Sequence, residues 1–200
     1  MVAEQLQARG IADRKLLEAF LAVPRHLFVD PALGNRAYDD CSFPIGYEQT
    51  ISQPYIIAFM IQSLEVTRYT RVLEVGTGSG YQTAILSLLA RDVFTIERLA
   101  PLLRKAESAL SLVGTGSVRV KEADGSLGWP SYAPFDRIIV SAAMKDRPLE
   151  LLDQLAEEGK LIAPISGDAE HLVLFAKEGG ALREERLARC AFVPLLKGEA

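Results

Sequence analysis

Five consecutive residues, Gly76-Thr77-Gly78-Ser79-Gly80, are the part of this 200-residue chain best suited to hold a ligand. Glycine accepts positive φ and has no Cβ, so a ligand can come close to the backbone. The apolar run around Val72, Leu73 and Val75 precedes the loop, and a helical pattern from Tyr81 follows it. A helix start offers unpaired N–H groups, and open α/β sheets bind ligands beyond the carboxyl ends of their strands. Glu97 closes the next apolar run 21 residues after Gly76. A carboxylate there can accept two hydrogen bonds from the vicinal hydroxyls of a ribose.

The spacing of the glycines selects among ribose-bearing ligands. A dinucleotide fingerprint reads GxGxxG, and its third glycine lets the helix pack beneath a pyrophosphate. Here the spacing is GxGxG, and Tyr81 stands where that glycine would fall. Glu74, inside the preceding strand, would repel a pyrophosphate. It would favour the ammonium of a methionine moiety, directly or through water. These features point to S-adenosylmethionine (SAM), against a nicotinamide cofactor or a purely structural turn. Asp124-Gly125 follows a further strand pattern, where the Asp124 carboxylate can accept the adenine amino group, although Asp-Gly is also a common turn. The cofactor set read from this half of the chain is Glu74, Gly76, Thr77, Gly78, Ser79, Gly80, Glu97 with its neighbour Arg98, and Asp124 with Gly125.

The elements around these residues follow from periodicity. Before residue 70 the chain reads as a helical lead, with Leu6, then Leu16, Leu17, Phe20 and Leu21 in helical register. Asp13 is the expected N-cap of that helix and Pro24 its stop. Residues 34–54 read as a long loop, which is unusual in a compact domain unless it serves a site. Pro54 sits at the start of a helix through Ile57, Met60, Ile61 and Leu64. From residue 71 on, strands are expected at Arg71–Val75, Val93–Ile96, Val118–Lys121, Arg137–Ser141, Leu161–Ile165 and His171–Ala176. Helices are expected at Tyr81–Leu89, Leu99–Val113 and Leu149–Leu155, and a last, antiparallel strand within Arg186–Leu196. Alternating strands and helices predict an α/β fold with a doubly wound, mostly parallel sheet. Residues 1–200 read as one domain, 1–70 forming the lead and 71–200 the core.

Bulk properties narrow the function classes. A net charge of −4 and the lack of a Lys/Arg stripe argue against a nucleic-acid partner. No apolar stretch is long enough for a membrane span, and the N-terminus has no signal-peptide pattern, so a cytoplasmic protein is expected. Cys41, Cys190, His26 and His171 form no metal-ligand spacing, so no metal is expected. His26 reads as a packing or hydrogen-bonding residue.

The segment Gln49-Thr50-Ile51-Ser52-Gln53-Pro54-Tyr55, followed by the loop Val72–Gln82, resembles the protein-L-isoaspartate O-methyltransferase family. Matching pieces extend over nearly the whole chain: Arg9-Gly10-Ile11, Val23-Pro24-Arg25-His26, Phe28-Val29, Pro44-Ile45-Gly46, Ala133–Asp136, Ser141-Ala142-Ala143 and Phe192-Val193-Pro194-Leu195. The resemblance implies a Rossmann-like SAM-dependent methyltransferase fold. It also implies methylation of the free α-carboxylate of L-isoaspartyl residues in damaged proteins or peptides. It implies Ser52 as the active-site serine, on a loop whose Thr50, Ile51 and Ser52 touch both cofactor and substrate. Glu48, Ala123, Ser141 and Leu196 depart from the family's usual residues, and Glu48 is expected to affect which substrate sequences are accepted.

The implied chemistry needs no general base. A peptide carboxylate, with a reference pKa of about 3.3–3.9, is already ionised at neutral pH. The work is alignment of carboxylate oxygen, methyl carbon and sulfonium sulfur. Ser52 lies outside any GxSxG elbow and has no partner base, so its role is to orient rather than to attack. A cap for the Pro54 helix is the structural alternative for Ser52. Competing functions are methylation of a small metabolite or RNA, nicotinamide redox chemistry, and a silent SAM-binding protein. The absence of an Asn/Asp-Pro-Pro-aromatic tetrad counts against amine methylation.

Overall fold

The computed structural model describes residues 1–198. The lead begins with a π-helical turn over Val2–Leu6 and continues into α1, Arg14–Ala22. Asp13 caps α1 through its side chain, accepting from the Lys15 and Leu16 N–H groups at 2.9 and 3.2 Å, as its sequence position predicts. Helix α2 spans Pro54–Leu64, with the proline in its first turn.

Residues 34–54, expected as one loop, carry structure. A 3-10 helix over Pro31–Arg36 leads to an antiparallel hairpin of β1, Phe43–Gly46, and β2, Gln49–Ile51. Two residues, Tyr47 and Glu48, join the strands with φ of 52° and 58°. Positive φ at both central positions matches the twist of a tight hairpin, which favours glycine, asparagine or aspartate. Short strands without a clear period hide such a hairpin from pattern reading. Glu48 thus holds a left-handed backbone, strained for a non-glycine residue, on an exposed tip.

The core is β3 (Arg71–Val75), α3 (Tyr81–Leu89), β4 (Asp92–Glu97), α4 (Ala100–Val113), β5 (Val118–Glu122), β6 (Phe135–Val140), α5 (Leu149–Leu152), β7 (Leu155–Ile165), β8 (His171–Glu178) and β9 (Ala181–Arg189). Among the described residues these strands form one seven-stranded sheet in the order β5-β4-β3-β6-β7-β8-β9. The first five run parallel, and β8 and β9 add antiparallel neighbours. The fold is thus α/β, doubly wound and mostly parallel, with a helical lead. Three boundaries differ from the sequence reading. The last strand is β9, ending at Arg189, while the segment after it runs back to the sheet's ligand edge. Strand β7 starts six residues earlier than expected, and α5 is a single turn.

Alternation along β3 divides the core. Val72 joins the cluster under the lead, α2 and α3, whereas Leu73 and Val75 join the cluster on the opposite face. Glu74 therefore lies on the α3 face, fully buried beneath the glycine loop. From β3 the chain winds outward through β4 and β5, then returns to β6 on β3's other side. The crevice at that reversal lies between the ends of β3 and β6, between Gly76 and Ser141.

Candidate functional site

An open cleft lies there, lined by both polar and apolar side chains. The glycine loop forms one wall. Gly76 and Gly78 have φ of +94° and +54°, and each keeps its missing Cβ toward the neighbouring structure: Ser141 lies 3.5 Å from where a Gly76 Cβ would sit. Of the residues expected at the cofactor, Thr50, Ile51, Ser52, Gly76, Thr77, Gly78, Ser79, Glu97, Arg98 and Gly125 line this cleft. Gly125 allows close packing, since a Cβ would stand 2.5 Å from Val75 Cγ1.

Glu97 is buried at the cleft wall, and its carboxylate is fixed by two backbone donors, Gly78 N–H at 2.9 Å and Leu99 N–H at 3.0 Å. An ionised carboxylate offers about four acceptor positions, so two remain for hydroxyls of a ligand.

Three residues of the expected set, Glu74, Gly80 and Asp124, do not line the cleft. Glu74 Oε1 accepts from Gln82 at 2.9 Å, and its Oε2 accepts from Thr83 and Thr95 at 2.5 and 2.7 Å. Burial drives its pKa up from an ordinary 4.5 to about 7, the hydrogen bonds from Thr83, Thr95 and Gln82 oppose this, and the charge of Glu97 adds to it. Gly80, with φ of +86°, instead allows α3 to pack on α4: a Cβ would meet Ala106 Cβ at 3.2 Å. Asp124 also stands outside the lining. Its Oδ1 accepts from Ser126 N–H at 2.8 Å and its Oδ2 from Gly198 N–H at 2.6 Å. Burial alone would raise the Asp124 pKa, but the Gly198 and Ser126 donors outweigh it and hold the group below its ordinary range. Asp124 also caps the 3-10 turn Gly125–Leu127.

Ser52 lies at the end of β2 with its side chain free. The cap position of α2 belongs to Gln53 and carries no side-chain cap bond, so the capping alternative for Ser52 finds no support. Among the described residues no hydrogen bond involves its hydroxyl. Its backbone, by contrast, is tethered. Arg25, fully buried, donates from Nη2 to the Ser52 carbonyl at 2.7 Å and from Nε to the Ala37 carbonyl at 2.8 Å. The guanidinium lies over the Tyr81 ring, 4.7 Å from its centroid. Burial lowers the Arg25 pKa while Tyr81 pulls it back.

The sequence reading missed several parts of the site. Gln82, two residues into α3, lines the cleft and donates to Ser141 Oγ at 2.9 Å as well as to Glu74. The tail segment Val193–Leu196 forms the far wall, pinned by Ala143 N–H to the Val193 carbonyl and Leu195 N–H to the Ala143 carbonyl, both at 2.8 Å. A second hollow adjoins the cleft and is lined by Asp40, Gln53, Ile56, Arg189 and both cysteines, Cys41 and Cys190. Distant in sequence, the two thiols share one wall and form no disulfide. His26 bonds Tyr38 at 2.8 Å away from the cleft, as a packing residue would. Tyr81 packs in the core against Phe20 and Phe28.

Comparison with known proteins gives consistent matches. The family described as protein-L-isoaspartate(D-aspartate) O-methyltransferase (PCMT) matches residues 1–200. A protein-L-isoaspartate O-methyltransferase of Hahella chejuensis is 48% identical over 197 residues, covering 98% of this chain and 93% of that protein. Protein-L-isoaspartate O-methyltransferase 2 of Geotalea uraniireducens is 50% identical, with 98% and 91% covered. A crystal structure of a Plasmodium falciparum protein, described as a putative enzyme of this kind in complex with S-adenosyl-L-homocysteine, superposes with a TM-score of 0.87. It is 26% identical and covers 98% of this chain and 97% of that one.

Proposed function

We propose a division of labour in the site from one premise: the chain belongs to the protein-L-isoaspartate(D-aspartate) O-methyltransferase family. It is an enzyme that uses SAM to methylate the α-carboxylate of L-isoaspartyl residues in proteins. The cleft is compatible with that cofactor. It offers a glycine wall without side chains at Gly76 and Gly78 and a carboxylate with free acceptor positions at Glu97. When bound, SAM supplies an electrophilic methyl group on positively charged sulfur.

In our reading Glu97 holds the ribose hydroxyls, Gly76 to Ser79 and Gly125 set the space, and Arg98 anchors the tail through the Gly198 carbonyl at 3.2 Å. Asp124 keeps the Gly125 turn in place. Glu74 acts through Gln82 rather than by contact. The acceptor enters through the second hollow, past Thr50 and Ser52. Its carboxylate oxygen forms the new bond to carbon as the carbon–sulfur bond breaks, and the electron pair stays on sulfur. No proton moves, so the chain's task is to aim the oxygen and exclude water.

The observation that carries the role of Ser52 is its uncommitted hydroxyl on a backbone fixed by Arg25. A neutral donor orients the carboxylate without withdrawing as much charge as a cation would. Damaged proteins and peptides are the proposed partners, and nucleic acids and membranes are not. Among the described residues no helix is long and apolar enough to cross a membrane. A cytoplasmic setting, where thiols stay reduced, accompanies this reading, supported by free Cys41 and Cys190.

The test compares Ser52→Ala and Ser52→Thr with the parent on isoaspartyl and aspartyl peptides. Loss of a donor to a charged group costs about 1.5–3 kcal/mol, so Ser52→Ala should slow transfer about 10- to 150-fold with unchanged S-adenosylhomocysteine affinity. A variant that melts early yet methylates at the parent rate would remove Ser52 from the mechanism.

A further inference from the structure

The cleft and the adjoining hollow share four lining residues, Thr50, Ser52, Ser141 and Val193. Where the two spaces meet is where an acceptor in one can reach a methyl group in the other. Three of the four carry hydroxyls; Thr50 sits on the exposed middle of β2, while Ser52 and Ser141 stand at strand ends, each with a hydrogen not committed to the protein. For Ser52 this is plain from its lack of partners. For Ser141 it follows from the network behind it.

Both N–H groups of the Gln82 amide are spent, one on Glu74 Oε1 and one on Ser141 Oγ, each at 2.9 Å. With Glu74 ionised, a turned amide would set its carbonyl against the carboxylate, so in that state the network fixes the amide's orientation. Glu74 is itself held by Thr83 and Thr95 in the dry core. Ser141 Oγ must then accept from Gln82, and its own hydrogen points elsewhere. Ser141 follows β6 at the topological switch, with its N–H bonded to the Val75 carbonyl at 2.9 Å, so its position is fixed by the sheet.

We propose that Ser141 is a second catalytic hydroxyl, donating to the acceptor carboxylate opposite Ser52, with Gln82 and Glu74 as positioning residues that aim it. Two donors on different elements define a plane for the carboxylate, whereas one leaves it free to swing. A deviation of about 1 Å in such alignment can cost about 100-fold in rate. This assignment rests on the isoaspartyl reaction proposed above.

The experiment uses the full chain with an isoaspartyl peptide and Ser141→Ala, Ser141→Thr, Gln82→Met and Ser52→Ala. Turnover, peptide affinity in the presence of S-adenosylhomocysteine, affinity for S-adenosylhomocysteine alone and melting temperature are measured for each. Ser141→Ala should lower kcat by about 10- to 100-fold, equal to about 1.4–2.8 kcal/mol at 1.4 kcal/mol per tenfold. It should also weaken peptide binding and leave S-adenosylhomocysteine affinity within about twofold, a difference of no more than about 0.4 kcal/mol. Ser141→Thr should recover much of the rate, and Gln82→Met should shift kcat in the same direction by a smaller factor. If Ser141→Ala instead loses S-adenosylhomocysteine affinity and regains full turnover at saturating SAM, the hydroxyl serves the cofactor and the proposal fails. Parent turnover in Ser141→Ala alongside slow transfer in Ser52→Ala overturns it too, leaving the isoaspartyl reaction standing. A parent enzyme that ignores isoaspartyl peptide would overturn both.

Discussion

Glu74 gives the sharpest physical test of this structure. It is a carboxyl sealed under the glycine loop, and burial holds its pKa near 7 instead of 4.5 despite three hydrogen bonds. In the unfolded chain it ionises at its ordinary value. Between pH 4.5 and about 7 the native state binds a proton that the unfolded state does not. Stability therefore falls as pH rises through this window, and Glu74 adds no further slope above it. At about 1.36 kcal/mol per pH unit, the whole change is about 3 kcal/mol. For a protein of this size that is about 6–12 °C in melting temperature. Other carboxyls titrate at the acid end, so the useful quantity is the difference between the parent and Glu74→Gln. The variant keeps the side-chain volume but cannot ionise. Urea unfolding of both proteins at pH 5, 6, 7 and 8 should show the parent losing stability relative to the variant as pH rises. An infrared carbonyl band of a protonated carboxyl should fade over the same range in the parent alone. A parent–variant difference that stays constant from pH 5 to 8 would refute the reasoning, because Glu74 would then be ionised throughout.

The remaining predictions concern the parts around that core. Arg25→Met should destabilise the protein by about 2–5 kcal/mol, because it orphans the Ala37 and Ser52 carbonyls, and should slow methyl transfer beyond the effect on folding. Denaturation curves and kcat at low temperature separate the two. Glu97→Ala should weaken S-adenosylhomocysteine binding by about 1.5–3 kcal/mol, with Glu97→Gln losing less, as calorimetric titration would measure. Glu48→Gly should stabilise the hairpin by about 0.5–1 kcal/mol by relieving the positive φ, with turnover on a short peptide unchanged. A lower melting temperature for that variant would contradict the strain assignment.

The chain's own pattern determined the α/β class, the order of most core elements and the ligand loop. Those features are local: glycine spacing, apolar period and the Asp13 and Pro54 helix starts act over a few residues. Glu97 was also legible, because a strand of ordinary length must end near it. Long-range geometry decided the rest. Glu74 and Gln82 look unrelated in the sequence, yet alternation along β3 turns Glu74 under α3 and makes them partners. Asp124 gave no sign in the sequence that its two oxygens would accept from backbone donors, one of them on the tail. The hairpin at Phe43–Ile51 lacked a period to reveal it, and its strands are defined by pairing with each other. Arg25 gave no sign of tethering Ser52, 27 residues away, because that bond exists only once α2 and the lead pack together. Ser141 appears in the sequence as the end of a buried strand and as one piece of the resemblance, with nothing to tie it to Gln82. Its hydrogen becomes available because a buried carboxylate, an amide and a sheet reversal meet at one point, and only the folded chain brings them there.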